Sequence, residues 1–302
     1  MHSPNDLMNR INQKYTKLSK GQKLLATYII KHYEKAVYLT AAKLGNIVGV
    51  SESTVVRFAN ELGYDGYPKL QRALEELVKT KLTAVQRMEV TSGRISEENV
   101  LKTVLHSDSE KIKYTLEELN QEDFNEAVNM ILEAKNIYIL GVRSCASLAS
   151  FLGFYFNLMF DNVKLIHTNS VSEMFEQMLR IGPEDIVIGI SFPRYSKRTL
   201  KAVEFAKSRD ARVITITDSI LSPMNEYTDL CLLARSDMAS LVDSLVAPMS
   251  VINALIVALS LKKKDQMSQS FDELEKIWKE YEVYDDEEGE IKYSGNRSLN
   301  ER

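Results

Sequence analysis

The chain is poor in the residues that build disulfide frameworks and metal sites. Its 302 residues include only two cysteines, Cys145 and Cys231, and four histidines. Two cysteines are too few for a disulfide framework, so we expect both to be reduced thiols of a cytoplasmic protein. The histidines are scattered, and no His or Cys pair has the spacing of zinc ligands. The sequence therefore predicts no metal site.

Long apolar runs and glycine-rich tracts are missing as well. The longest apolar run, 246–261, is interrupted by Pro248, Ser250 and Asn253, and a membrane helix needs about 20 apolar residues. The N-terminal MHSPNDLMNR has no apolar segment after a basic start, so we expect neither a secretory signal nor a membrane partner. The hydrophobic share of 44% is ordinary for a globular chain, and the length suggests two domains of about 150 residues each.

The net charge of −4 is unevenly distributed along the chain. Residues 1–80 hold 12 Lys and Arg against 7 Asp and Glu, so this segment carries +5 and the remainder carries −9. A basic N-terminal segment on an acidic body indicates contact with nucleic acid. A surplus of this size also occurs on ordinary solvated surfaces, so the interpretation depends on a motif.

The first 81 residues have a helical pattern throughout. Ser19, Thr40 and Ser51 can cap helices, and Gly49 and Gly63 can end them. A further helix is expected to follow Pro68. Residues 82–125 are mostly polar and compatible with helix. We predict an all-α domain over 1–81, followed by a linker and a connecting helix over 82–125.

The pattern changes to short β-branched runs after about residue 136. These runs are NIYILG, VKLIHT, DIVIGIS, RVITITD and DLCLLA, and most of the segments between them are long enough for a helix. Continuous apolar strands that alternate with helices indicate a parallel sheet covered on both faces. We predict an α/β domain over 126–282 with two final helices near 241–261 and 270–281. The charged residues 283–302 are predicted to be a disordered tail.

The segment TAAKLGNIVGVSESTVVRFANELGY is typical of a helix-turn-helix. Five apolar residues fall where two helices that cross at a tight turn bury side chains: Leu44, Val48, Val50, Val55 and Phe58. Gly45 lies where the helices approach each other, and Gly49 occupies the turn. The alternative is a generic helical hairpin in a bundle. The capped second helix and the basic surplus favour a DNA-binding unit.

In a DNA-binding unit of this kind, the second helix enters the major groove with its early and outward residues toward the bases. Those residues are Ser51, Ser53, Thr54 and Arg57. Arg57 is the best candidate for a bidentate contact with guanine, whereas Ser51 is also explained as the helix cap. Lys43 and Lys69 are candidates for contacts with backbone phosphates.

Two turns that follow strands of the predicted sheet are rich in hydroxyl groups. ILGVRSCAS follows the first strand and IGISFPRYSKRT follows the third. Helix N-termini at the carboxyl edge of such a sheet suit phosphate. Ser144, Ser191, Ser196 and Thr199 would donate hydrogen bonds there, and Arg194 a charge-assisted bidentate one. The alternative is that these hydroxyls only cap helices. No dinucleotide fingerprint, P-loop or nucleophile elbow is present, so we predict neither a cofactor nor a catalytic residue.

The chain resembles the RpiR/MurR-type bacterial transcriptional regulators, from about Leu18 to about Trp278. The motifs that carry the resemblance are TAAKLGNIVGVSESTVVRFANELGYDGYPKLQRAL, ILGVRS, ISFPRYSKRT and SPMNEYTDLCLLA. The resemblance implies a helix-turn-helix joined to a sugar isomerase (SIS) domain, a five-stranded parallel sheet in a three-layer α/β/α sandwich. It places the phosphate site at Ser144, Ser191 and Ser196. The third turn departs from the family's Ser-x-Ser-Gly-x-Thr, since Pro193 and Arg194 replace the second Ser and the Gly.

The resemblance implies a cytoplasmic regulator that binds operator DNA and senses a phosphorylated sugar or amino sugar to control sugar-catabolic genes. Either Arg194 compensates for the altered third turn, or the effector is a different acidic sugar. The alternative function is a sugar-phosphate aldose–ketose isomerase that uses the same α/β domain. We expect a homodimer or higher homo-oligomer on an inverted-repeat operator. Its interface would include apolar residues of the helix near 241–261, namely Leu241, Leu245, Val251, Leu255 and Leu259.

Overall fold

The computed structural model describes residues 6–81, 85–86, 97–168, 170–220, 222–236 and 242–284. Within this part, the residues up to Leu259 form one compact unit and those from Ser260 onward form a second. The domain boundaries stay predictions, and the one at residues 125 and 126 falls within a helix. The predicted disordered tail lies outside the described residues from residue 285 onward.

The N-terminal segment consists of helices, as predicted. They are α1 (Asp6–Lys14), α2 (Lys20–Ala36), α3 (Ala41–Val48), α4 (Glu52–Glu61) and α5 (Gly66–Lys81). The side chains of Ser19, Thr40 and Ser51 cap α2, α3 and α4. The start of α5 was predicted wrongly, because Pro68 lies inside its first turn. A proline costs little there, since the first N–H groups of a helix have no partner within it.

The turn between α3 and α4 shows why two glycines stand there. A Cβ atom on Gly45 would lie 2.7 Å from the carbonyl oxygen of Val50, so a side chain would push the two helices apart. Gly49 has a φ of 78°, in the left-handed region that glycine adopts without strain. Leu44, Val55 and Phe58 are buried in the core of this segment. The predicted helix-turn-helix packing is therefore confirmed.

Tyr67 links the start of α5 to the end of the α2–α3 connection. Its hydroxyl donates to the carbonyl oxygen of Leu39 over 2.7 Å, and burial raises its pKa to about 12. We expect Tyr67→Phe to lower the free energy of unfolding by about 1 kcal/mol, because the Leu39 carbonyl loses its partner. Urea unfolding measures this change, with the more exposed Tyr155→Phe as a control within about 0.5 kcal/mol of wild type. Equal values for the two variants would show that the hydrogen bond adds nothing.

After the connecting region, strands and helices alternate. The elements are α6 (Val100–Glu118), α7 (Gln121–Glu133), β1 (Ile137–Gly141), α8 (Cys145–Met159), β2 (Val163–Ile166), α9 (Val171–Gln177), β3 (Ile186–Ile190), α10 (Lys197–Ser208), β4 (Arg212–Thr217) and β5 (Leu230–Leu233). All five predicted strands are present. They pair in parallel in the order β2-β1-β3-β4-β5. The predicted fold class, a helical N-terminal region followed by a five-stranded parallel sheet with helices, is confirmed.

Helices cover both faces of the sheet. On one face, Tyr138, Val187 and Val213 pack with residues of α9 and α10 in one buried cluster. On the opposite face, α8 lies against β1 and β2, where Gly153 leaves room for the side chain of Leu165. The central strands β1 and β3 are consequently buried along their whole length, which is why they appear in the sequence as continuous apolar runs, whereas the edge strand β2 exposes Lys164.

The two last helices begin at other residues than predicted. α11 spans Val246–Lys262, five residues later than expected, because Pro248 belongs to its first turn. α12 spans Lys264–Glu280, since no helix-breaking residue stands between 264 and 270. In the described residues no single helix has both the length and the apolar character to cross a membrane, and α11 and α12 pass on length and composition only when taken together.

Most of the apolar side chains of α11 that were expected in a self-interface are buried inside the chain. Of the five residues predicted for a self-interface, Val251, Leu255 and Leu259 are buried in the core, and Leu245 is half-buried. Leu241 lies outside the described residues. The length of an apolar run in sequence did not reveal that three of these side chains serve the chain's own interior. These residues therefore give no reason to place a self-interface on α11.

Candidate functional site

The N-terminal end of α4 presents a polar patch, formed by the exposed Ser51, Ser53 and Arg57 and the half-buried Thr54. The Ser51 Oγ accepts from the amide of Thr54 and lies 2.9 Å from the hydroxyls of Ser53 and Thr54. Arg57 lies one turn later, and its Nε donates to the carbonyl oxygen of Ser53 over 3.3 Å. The structure thus brings four of the six predicted DNA-contacting residues together and confirms that Ser51 is also the helix cap. We call these four residues the α4 patch.

The start of α2 lies directly beside the α4 patch. The two elements enclose a cleft of about 380 Å³ that is lined by Ser19, Gly21, Gln22, Val50, Ser51, Thr54 and Arg57. Gly21 permits this approach, since a Cβ there would lie 3.2 Å from a methyl group of Val50. Sequence reasoning identified Ser19 only as a cap. Lys43 on α3 and Lys69 on α5 are exposed and lie outside the lining of this cleft.

A second cleft opens at the carboxyl edge of the sheet. β1 and β3 are neighbours in the sheet. After β1 the chain continues outward to β2 on one side, and after β3 it continues outward to β4 on the other, so the strand order reverses between β1 and β3. This is the position where open α/β sheets bind ligands. The N-termini of α8 and α10 follow these two strands. The cleft has a volume of about 390 Å³ and is lined by Val142, Arg143, Ser144, Cys145, Ser191, Phe192, Pro193, Arg194, Ser196, Val242, Asp243 and Leu245.

Three predicted hydroxyl groups line this cleft, and two of them also hold the third turn together. The Oγ of buried Ser191 accepts from the amide of Ser196 over 3.2 Å, and the Oγ of Ser196 accepts from the amide of Arg198 over 3.2 Å. In both bonds the hydroxyl acts as acceptor, so its own proton stays able to donate to a ligand. Ser144 is exposed and its side chain does not cap α8. Helix capping and ligand binding are thus compatible at Ser191 and Ser196.

Arg194 is exposed at the mouth of the cleft, on a turn that a hydrogen bond holds to the end of β4. The hydroxyl of the neighbouring Tyr195 donates to a carboxylate oxygen of buried Asp218 over 2.8 Å, at the end of β4. Thr199 is not brought to the cleft. It is fully buried in the first turn of α10 and does not line the cavity. Its place in the sequence beside the other hydroxyls did not reveal that this helical position faces the sheet.

Sequence reasoning missed Arg143 and Asp243, both of which line the cleft. Asp243 comes from the segment before α11, far from the two turns in sequence and without a motif of its own. Burial raises the pKa of Cys145 to about 11; hydrogen bonds with the Phe192 backbone and the Ser144 side chain oppose this rise, and the negative charge of Asp243 adds a little to it. Cys145 is therefore a neutral, packed thiol near neutral pH, not a nucleophile. In the part of the chain described, no group of His, Cys, Asp and Glu side chains has an arrangement that would hold a metal ion.

Two family models match the chain. The helix-turn-helix domain of the rpiR family matches residues 5–81, and the SIS domain matches residues 130–258. A HexR transcriptional regulator of Escherichia coli is 22% identical over 279 residues, which cover 91% of this chain and 95% of the relative. An uncharacterized HTH-type transcriptional regulator of Haemophilus influenzae is 23% identical, over 89% of this chain and 95% of the relative.

Solved structures share this fold. The sugar isomerase domain of an RpiR transcription factor from Sphaerobacter thermophilus has a TM-score of 0.57 at 24% identity, over 59% of this chain and 99% of that one. The Vibrio vulnificus NanR protein, complexed with ManNAc-6P, has a TM-score of 0.56 at 16% identity, over 90% and 97%. The two family matches together cover more than half of the sequence, with the DNA-binding model first and the SIS model second. The chain belongs to the RpiR-type transcriptional regulators.

Proposed function

We propose that this chain is a cytoplasmic, homo-oligomeric transcription factor that binds an inverted-repeat operator. The single observation that carries the proposal is the presence, in one chain, of an rpiR-family helix-turn-helix and an SIS domain with a polar cleft at its strand-order reversal. The α4 patch supports the DNA-binding part. Its arginine can meet a base edge, and its hydroxyl groups can meet phosphates or bases.

The cleft supports a phosphorylated sugar or amino sugar as effector. The hydroxyls of Ser144, Ser191 and Ser196 and the guanidinium of Arg194 suit a phosphate, as do the helix N-termini beside them. The carboxylate of Asp243 lines the same cleft and suits the hydroxyl or amino groups of a sugar. NanR, which shares the fold, was solved with a sugar phosphate. The effector would act by binding more tightly to one of two states that differ in DNA affinity.

The alternative function is aldose–ketose isomerisation of a sugar phosphate in the same cleft. Such an enzyme needs a general base beside the first two carbons of the sugar. Asp243 is a carboxylate that lines the cleft, and this observation alone favours the alternative. The helix-turn-helix has no use in catalysis, and the curated relatives are named as transcriptional regulators. We therefore propose that the chain is not an enzyme.

The proposal is tested by selecting operator DNA from a random-sequence pool with the full chain. Binding of the selected DNA is then titrated with hexose 6-phosphates and N-acetylated amino-sugar 6-phosphates. Enrichment of an inverted repeat, and a change in its affinity with one sugar phosphate, is the expected result. Turnover of that sugar phosphate by the protein would establish the isomerase instead. Failure to enrich any sequence at low salt would contradict the DNA-binding part.

Lys43→Ala and Lys69→Ala are expected to weaken binding to all DNA sequences alike. Each lysine is exposed outside the α4 patch, so each is positioned to neutralise one phosphate without reading a base. The slope of the logarithm of affinity against the logarithm of salt concentration should fall by about one unit per variant. Fluorescence anisotropy with the selected operator and with a scrambled duplex measures both values. A loss confined to the operator would contradict the assignment of these lysines to phosphates.

A further inference from the structure

The helix α6 has an apolar face that nothing in the described chain covers. Three leucines and an isoleucine, Leu101, Leu105, Ile112 and Leu116, are 74%, 60%, 39% and 79% exposed. At about 100° per residue these four side chains fall within an arc of about 60°, so they form one continuous stripe along the helix. Single exposed apolar residues are ordinary, but a stripe of four on one helix marks an interaction surface. We call it the α6 stripe.

Polar contacts on the neighbouring side of α6 hold the stripe outward. Asp108 accepts from the hydroxyl of Ser244 over 2.6 Å, and Thr115 accepts from the amide of Arg235 over 2.9 Å. Lys111, which is also buried, donates to the hydroxyl of Ser107 over 2.8 Å. The bonds to Ser244 and Arg235 fix the rotation of the helix about its own axis, whereas the Lys111–Ser107 bond lies within α6. The stripe cannot turn inward without breaking the bonds to Ser244 and Arg235, and no residue in the described part of the chain covers it, so we look for its partner in a second copy.

The spacing of the stripe is symmetric about its centre. Leu101 and Leu116 lie equally far from the midpoint between Asp108 and Ser109, and so do Leu105 and Ile112. A second copy of the helix, placed antiparallel across a two-fold axis at this midpoint, would therefore set apolar residue against apolar residue along the whole stripe. Ser109, a small exposed side chain, lies beside the midpoint and just outside the edge of the stripe, so the Ser109 side chains of the two copies would lie near each other.

We propose that the α6 stripe is the self-association surface of this protein, in which two copies of α6 pair antiparallel. Leu105 of one copy would face Ile112 of the other, and Leu101 would face Leu116. The stripe spans about 22 Å, the length of a helix pair in a helical bundle. The proposal rests on the homo-oligomer part of the proposed function. It is independent of which DNA or which sugar the protein binds.

The test uses sedimentation velocity of the full chain and of charge variants. Leu105→Glu and Ile112→Lys should each raise the dissociation constant of self-association by about tenfold or more, because each buries an unpaired charge in the interface. The double variant should regain association, since the introduced acid of one copy then faces the introduced base of the other. Antiparallel pairing alone predicts this recovery. Without recovery, antiparallel pairing would be wrong.

Two controls separate this surface from others. Val257→Glu changes an exposed apolar residue of α11, 55% exposed, and should leave association unchanged; dissociation by this variant instead would place the interface on α11. Under mild oxidation, Ser109→Cys should give covalent dimers, whereas Glu110→Cys, on the far side of α6, should not. The native thiols are a buried Cys145 and a half-buried Cys231, and burial raises the pKa of both.

The wild-type chain also tests the proposal. If it sediments as a monomer at micromolar concentration and still binds the selected operator, the α6 surface is overturned and the DNA-binding function stands. If it associates but enriches no DNA sequence, the DNA-binding function is overturned, and the charge variants then decide whether the α6 stripe is the self-association surface.

Discussion

Replacing Arg57 by alanine is expected to weaken operator binding by about 1–3 kcal/mol and to relax the preference at one base position. Arg57 is exposed on the first turns of α4, where a recognition helix meets base edges. Its hydrogen bonds to the Ser53 carbonyl and the Thr54 hydroxyl are long, at 3.3 and 3.5 Å, so little is lost when the guanidinium turns toward DNA. A bidentate contact with guanine would replace them.

The conservative variant Arg57→Lys tests the geometry of this contact. A lysine keeps the charge but loses the planar fork, so affinity for scrambled DNA should be retained while base preference at the same position is lost. Arg57→Ala should lose both. The measurement is anisotropy with the operator and with its single-base variants at two salt concentrations. Unchanged affinity and unchanged preference in Arg57→Ala would mean that α4 is not the recognition helix.

Local chemistry made the helix-turn-helix predictable from sequence. Caps act within one turn, and the side chains of Ser19, Thr40 and Ser51 bond where their positions indicated. Gly45 was informative because the tight turn leaves no room for a Cβ atom there, and Gly49 because its backbone adopts a positive φ. The central strands were predictable for a similar reason, since burial on both faces leaves a continuous apolar run.

Features that depend on distant contacts were missed or misplaced. The bounds of α1 were not predicted within the helical segment, although Leu7 and Ile11 are buried four residues apart, because three apolar residues in a nine-residue helix make a weak pattern. Asp243 reaches the cleft at the sheet edge only through the fold. Thr199 was grouped with the cleft hydroxyls by its place in sequence, yet its helical position turns it toward β3. Periodicity identifies elements, whereas the lining of a cleft depends on how they assemble.

The cleft and the proposed self-association surface share a structural connection. The segment that carries Asp243 into the cleft also carries Ser244, whose hydroxyl donates to Asp108 of α6. A ligand that moved this segment would act directly on the helix that bears the α6 stripe. For such movement to control DNA binding, the effector must bind one arrangement more tightly than the other. This requirement makes the affinity of the cleft the decisive quantity.

Removing Arg194 is expected to reduce effector affinity by about 3 kcal/mol or more, at least roughly 150-fold, because it removes a full charge and a bidentate donor. Ser144→Ala, Ser191→Ala and Ser196→Ala should each cost about 1.5–3 kcal/mol, since each removes one hydrogen bond to a charged group. Calorimetric titration of hexose 6-phosphates and N-acetylated amino-sugar 6-phosphates into the full chain measures these losses. Lys197→Ala is the matched control, because Lys197 is an exposed cation at the first residue of α10 and does not line the cleft.

Two further readouts separate ligand binding from damage to the fold. Arg194 and Ser144 are exposed, so their alanine variants should unfold at the urea concentration of wild type, and operator affinity without ligand should not change. Ser191→Ala and Ser196→Ala also remove acceptors for the amides of Ser196 and Arg198, so for these two a small loss of stability is expected beside the loss of affinity. Should both serine variants bind the sugar phosphate as tightly as wild type, their hydroxyls only cap α10 and shape its turn. Arg194 would then be left to hold the anionic group without them, and the altered third turn would mark a site that has exchanged its hydroxyl donors for one guanidinium.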